Sequence, residues 1–156
     1  MKKVFKKITI FAVLLCTIIV VTGCSKKVIT AENFKNTMDS KGYNVVDVTD
    51  QFASQGTMKK GYVALQKESK YQVEFFELET EVAAESMFET NKKRFEEMKG
   101  SSSAETSVDG SNYSKYTLST GGKFKVVTRV ENTLLYLDVD KEYKDEVGTI
   151  IDNLGY

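Results

Sequence analysis

The chain of 156 residues has no histidine, no tryptophan and no proline, and only two cysteines. Without histidine, neither a serine–histidine–aspartate nor a cysteine–histidine nucleophile can be assembled within one chain, and a zinc site of the usual cysteine and histidine type lacks ligands. Phosphate loops are missing as well: Gly121-Gly122 has neither GxxxxGK[ST] nor GxGxxG around it and reads as a turn. Carboxylates, serines, lysines and tyrosines are what remain for chemistry. Asp138, Asp140 and Glu142 are spaced by two, but an EF-hand-like loop would need a glycine and a glutamate where Tyr143 and Thr149 stand. Asp140 and Glu142 read instead as the N-cap and first-turn acid of a final helix. Ser69-Lys70 and Ser114-Lys115 are neighbours in sequence, which in a strand point to opposite faces and make no dyad. No catalytic residue, metal or cofactor is expected, and the chain does not read as an enzyme.

Long apolar runs are scarce too, and the one present is at the N-terminus. Lys2, Lys3, Lys6 and Lys7 precede an apolar stretch from Ile8 to Val21, after which the composition turns polar at Cys24. A basic segment, a short apolar segment and small residues before a cleavage point are the parts of a secretory signal peptide. The stretch is about 14 residues, roughly 21 Å as a helix, short of the ~30 Å hydrocarbon core of a bilayer. Val21-Thr22-Gly23-Cys24 resembles the lipobox of bacterial lipoproteins. That resemblance implies a diacylglycerol on the Cys24 sulfur, cleavage between Gly23 and Cys24, and loss of residues 1–23, Cys16 included. It places the protein on the extracytoplasmic face of the cell membrane, held by lipid. Cleavage would remove four lysines and no acid from a balance of 22 basic and 22 acidic residues, leaving the mature chain net acidic by four. Such a balance argues against a nucleic-acid partner, which calls for a basic patch.

Residues 24–29 read as a lipidated tether, its five residues after Cys24 reaching at most about 18 Å when extended. Lys26 and Lys27 either touch anionic headgroups or merely solubilise the chain. Residues 30–156 read as one α+β domain, with a mainly antiparallel sheet of about six strands, three helices and the order αβββαβββα. Helix one starts at Thr30, with Ile29 and Phe34 placed as a hydrophobic staple. Strands are expected at 43–48, 61–67 and 71–78. In the third, Tyr71, Val73 and Phe75 alternate with polar residues before Phe76 and Leu78 take the opposite phase, which requires a β-bulge, the favoured reading, or burial on both faces. The second helix, 80–99, carries Ala84, Met87, Phe88, Asn91, Phe95 and Met98 on one stripe. The serine-rich stretch 101–112 reads as a mobile loop. Strands at 113–119, 124–131 and 134–139 follow, then a helix with Tyr143, Val147, Ile150, Ile151 and Leu154 on its apolar face. The two halves, each a helix and a meander, are either a duplication or a coincidence.

Eight tyrosines supply the one binding signal, because tyrosine suits surfaces where one end of the ring is apolar and the other wet. Tyr62, Tyr71, Tyr116 and Tyr136 are the candidates for a shared platform, against the plainer reading of tyrosines at the rim of a core. Over its mature length the chain resembles the small lipoproteins of low-GC Gram-positive bacteria, a group that implies no particular activity. The expected function is binding: an accessory module close to the membrane surface with an envelope protein as partner. The alternatives are a small-ligand-binding lipoprotein and a hydrolase built on two carboxylates.

Overall fold

A computed structural model describes residues 25–156; the expected signal peptide, Gly23 and Cys24 lie outside the described residues. Ten residues, Ala31–Ser40, form helix α1, capped by the Thr30 hydroxyl, which accepts from the Asn33 amide. Strand β1 (Asn44–Asp47), a 3-10 segment (Thr49–Gln55), β2 (Met58–Leu65) and β3 (Gln72–Leu78) follow. Helix α2 (Glu81–Glu97) comes next, with Thr80 as its cap. Then β4 (Ala104–Asp109), β5 (Tyr113–Thr120), β6 (Lys123–Val130) and β7 (Thr133–Asp140) run as a meander. A 3-10 turn (Lys141–Tyr143) leads into α3 (Lys144–Asn153). All seven strands join one antiparallel sheet in the order β1-β2-β3-β7-β6-β5-β4.

The mixed α+β class and the antiparallel sheet are as expected, but the strand count and the order differ from αβββαβββα. The additional strand is β4, inside the stretch expected to be a loop. Every one of its residues is exposed, so no apolar periodicity marks it, and its partnership with β5 is made by backbone. Helix α3 also begins later than expected. Asp140 caps nothing with its side chain and pairs with Lys123 at 2.7 Å, and the 3-10 turn intervenes.

The sheet is covered on both faces, which explains the two-phase pattern of β3. Val73 and Phe75 point to one face, beneath α1 and α3, where Phe34, Met38, Leu135, Val147 and Ile151 close a core. Phe76 and Leu78 point to the other, beneath α2, against Phe88, Phe95, Val127 and Leu134. Strand β3 is therefore regular, and the favoured bulge is not in it. The register irregularity is in β2, between Met58 and Lys60, opposite Leu78 and Glu77. Its neighbour Lys59 pairs with Glu77 at 2.6 Å, and the other Glu77 oxygen accepts from the Ala31 amide at the start of α1. The leading helices of the two halves, α1 and α2, cover opposite faces of the sheet. The two-fold that would exchange the antiparallel neighbours β3 and β7 is perpendicular to the sheet and would keep the two helices on the same face, so the halves are not related in that way. Met98, expected on the buried stripe of α2, is 51% exposed, because the helix has ended before it.

The segment before α1 is docked rather than free. Asn112, in the turn between β4 and β5, accepts from the Lys26 amide at 2.9 Å and donates to the Lys26 carbonyl at 2.8 Å. It also donates to Glu131 at 3.1 Å. The Lys26 ammonium stands 5.0 Å above the Tyr113 ring, and Val28 and Ile29 pack against the core. The expected tether of five residues thus shrinks to Ser25. Asn112→Ala removes three hydrogen bonds and is expected to cost about 1–2 kcal/mol. Tryptic cleavage after Lys26 and Lys27 should accelerate while sites within the sheet stay protected, since the loss is local; limited proteolysis followed by mass spectrometry reads this directly.

Candidate functional site

Helix α2 has one narrow apolar stripe, Ala84, Phe88 and Phe95 with Asn91 between them, and it covers only part of its face of the sheet. The 3-10 segment covers another part, with Phe52 edge-on to Phe76 at 5.5 Å. Between these two covers the sheet is open. The result is a groove of about 650 Å³ floored by Glu74, Phe76, Leu78 and Tyr136. Met87, Thr90 and Arg94 of α2 form one wall, and Phe52 and Met58 the other. Beyond Glu74 and Tyr136 the groove continues into a second depression of about 490 Å³, where Lys70, Gln72, Lys123 and Asp138 stand.

The groove is graded. Its upper end, near Phe52, Met58 and Leu78, is apolar; its lower end is polar. The upper end lies at the same end of the sheet as the docked N-terminal segment, because the Leu78 amide donates to the Asn132 carbonyl and the Glu131 amide to the carbonyl of Asn112.

The central polar group is Glu74. It is half-buried and accepts one hydrogen bond, from the Gln72 side chain at 2.7 Å. Among the described residues no lysine or arginine nitrogen lies within 4.0 Å of it. Burial raises its carboxyl above the usual glutamate range, with the Gln72 bond a smaller opposing influence. Tyr136 lies beside it, its ring 5.3 Å from that of Phe95. Burial raises the Tyr136 phenol, and the charges of Asp138 and Glu74 add to the rise. Asp138 is already engaged: it holds the buried Lys125, whose ammonium also stands 5.5 Å over the Phe95 ring. Glu74 is thus the one carboxylate of the groove floor without a cation.

The four candidate tyrosines do not share a platform. Tyr62 and Tyr71 are buried on the α1 and α3 face, and Tyr116 is buried on the α2 face. Tyr71 shares a hydroxyl contact with Tyr43 at 2.5 Å and donates to Glu146 of α3 at 2.7 Å, while Tyr116 donates to Glu105 at 2.6 Å. These hydroxyls are occupied in tying elements together, which is the plainer reading of a core rim. Of the four, Tyr136 lines the main groove, and Tyr71 borders the second depression beside it. Glu74 was not among the sequence candidates, although a signal for it exists. A strand apolar in both phases is central and covered on both faces, so a glutamate within it is a half-buried charge.

Among the described residues no helix is long and apolar enough to cross a membrane, and no cluster of three or more carboxylates could hold a metal ion. No family model matches the sequence, and no match was found among curated proteins or solved structures.

Proposed function

We propose that this is a lipid-anchored envelope protein whose α+β domain binds another envelope component in the groove between α2 and the β1–β3 side of the sheet. The observation that carries the reading is the groove itself, a site of about 650 Å³ left open by two incomplete covers. With lipid on Cys24 and Lys26 clasped by Asn112, a single residue separates the bilayer anchor from the folded domain. The strand ends at Asn112 and Asn132 then face the membrane, and the groove leads away from it, apolar end first. A partner must come within a domain's height of the lipid surface.

A photocrosslinking residue at Thr90, on the groove wall, is expected to give a discrete adduct in intact membranes. The same residue at Thr106, on the far edge strand, should give none, and Met87→Arg, which fills the groove, should abolish the adduct from Thr90. Equal adducts from both positions, or insensitivity to Met87→Arg, would exclude the groove as the contact. Capture of a small molecule is the second reading, favoured by a volume inside the ~300–1,000 Å³ range of small-ligand sites. Native mass spectrometry of the protein purified from membranes separates the two, since only a retained small molecule adds a constant small mass. A two-carboxylate hydrolase finds less support, because Asp138 is engaged by Lys125 and leaves Glu74 without a free acidic partner.

A further inference from the structure

We infer that the groove recognises a primary ammonium on an apolar stem, the chemistry of a lysine side chain on the partner polypeptide, with Glu74 as the counter-charge. This rests on the groove being the binding site. Three features of the structure lead to it. Glu74 is half-buried with one neutral hydrogen-bond donor, and a carboxylate in that position is stabilised by a charged one. The neighbouring walls are methylene-compatible and aromatic: Phe52, Phe76, Met87 and Tyr136 can pack a four-carbon stem and meet the cation with a ring face. The groove is also open along its length, which suits a side chain presented by a polypeptide better than an enclosed small molecule.

The surrounding charges are compatible with this polarity. On the sheet floor, β7 contributes Tyr136 and Asp138, and β2 turns only Met58, Gly61, Val63 and Leu65 to this face. Arg94 on α2 is the one cation of the main groove's lining, and it is exposed and outside ion-pair distance of Glu74. Lys125 is held by Asp138, Lys123 by Asp140 at 2.7 Å, and Lys70 by Glu68 at 2.6 Å, so the lysines nearest the lower end are paired away from Glu74.

A half-buried carboxylate without a counter-charge destabilises the fold. Its folded-state pKa is raised by burial, so the cost is absent where the group is protonated in both states and complete above the raised value. Glu74→Gln is therefore expected to raise the melting temperature at neutral pH. The gain should fade as pH falls through the raised value and vanish below the ordinary glutamate pKa of about 4.3. A stability gain on removing a charged residue is what a binding residue, as opposed to a structural one, should show.

The direct test uses hexylammonium and hexanol as matched probes, titrated into the domain and followed by amide chemical shifts. Saturable shifts at Glu74, Phe76 and Tyr136 are expected, with hexylammonium binding roughly tenfold tighter than hexanol, the worth of one charge-assisted hydrogen bond. Glu74→Gln should abolish the difference and leave the hexanol shifts in place. Equal affinity of the two probes, or no saturable shift with hexylammonium, overturns the inference. Groove-specific crosslinks without an ammonium preference keep the binding function and remove the cation. An ammonium preference without crosslinks removes the envelope partner and keeps the site's chemistry.

Discussion

Phe75→Ala is expected to cost about 3–5 kcal/mol, the usual penalty for emptying a buried phenylalanine site, out of the ~5–15 kcal/mol that holds a typical domain together. Phe75 is completely buried on β3, near the middle of the sheet. Its ring stacks on Phe34 of α1 with centroids 4.8 Å apart and planes within 15°. Tyr62 and Leu135 stand opposite it on the two flanking strands. Truncation therefore leaves a cavity where α1 meets three strands, and rigid strands on both sides cannot close it. A guanidinium titration should show a lower midpoint with an unchanged slope. Val82→Ala provides the contrast: Val82 is 75% exposed on α2, and its loss should stay within about 0.5 kcal/mol. If both variants shift the midpoint equally, the core described here does not carry the fold.

The second large effect is on anchoring. Cys24→Ala is expected to abolish incorporation of labelled palmitate completely and to stop cleavage between Gly23 and Cys24, so that the protein's mass includes residues before position 24. Two acyl chains on one sulfur supply the anchoring that a single chain cannot, at about 0.8 kcal/mol per buried CH₂. Cys16→Ala serves as the internal control, since its side chain belongs to the apolar stretch that the proposed cleavage would remove. Palmitate on the Cys16 variant and none on the Cys24 variant is the expected pair. Label that persists in Cys24→Ala would remove the lipoprotein reading and, with it, the constraint that the partner lies near the membrane.

Local sequence carried far in the helices and unevenly in the strands. Thr30 caps α1 at the expected start, and Thr80, the expected first residue of the second helix, is its cap, because a cap is a contact over three residues and needs nothing distant. The apolar period of α2 likewise predicts its buried side. Strand β4 had no such signature, since an exposed edge strand is held chiefly by backbone bonds to β5 and its residues follow no apolar alternation. Asp140 shows the same limit from the other direction. Its position suits an N-cap, yet Lys123 on the adjacent strand takes the carboxylate, and no local rule contains that competition.

The tyrosines and Glu74 show why the site was harder to read than the fold. Residue type put four tyrosines forward, but strand order distributes them over two faces and three are buried. Glu74 is three residues from Tyr71 and looks like an ordinary polar position in an alternating strand. What makes it unusual is that β3 sits between β2 and β7 with helices over both faces, and that α2 stops short of covering it.

The sequence by itself determined the expected address at Cys24, the α+β class, the starts of α1 and α2 and the absence of histidine chemistry, because each depends on residue identity or on contacts a few positions apart. Tertiary structure alone decided that Asn112 clasps the segment after Cys24, that β3 lies between β2 and β7, and that two incomplete covers leave a groove around an uncompensated carboxylate. Those features join residues tens of positions apart, where packing and competition among partners, rather than local preference, choose the neighbour.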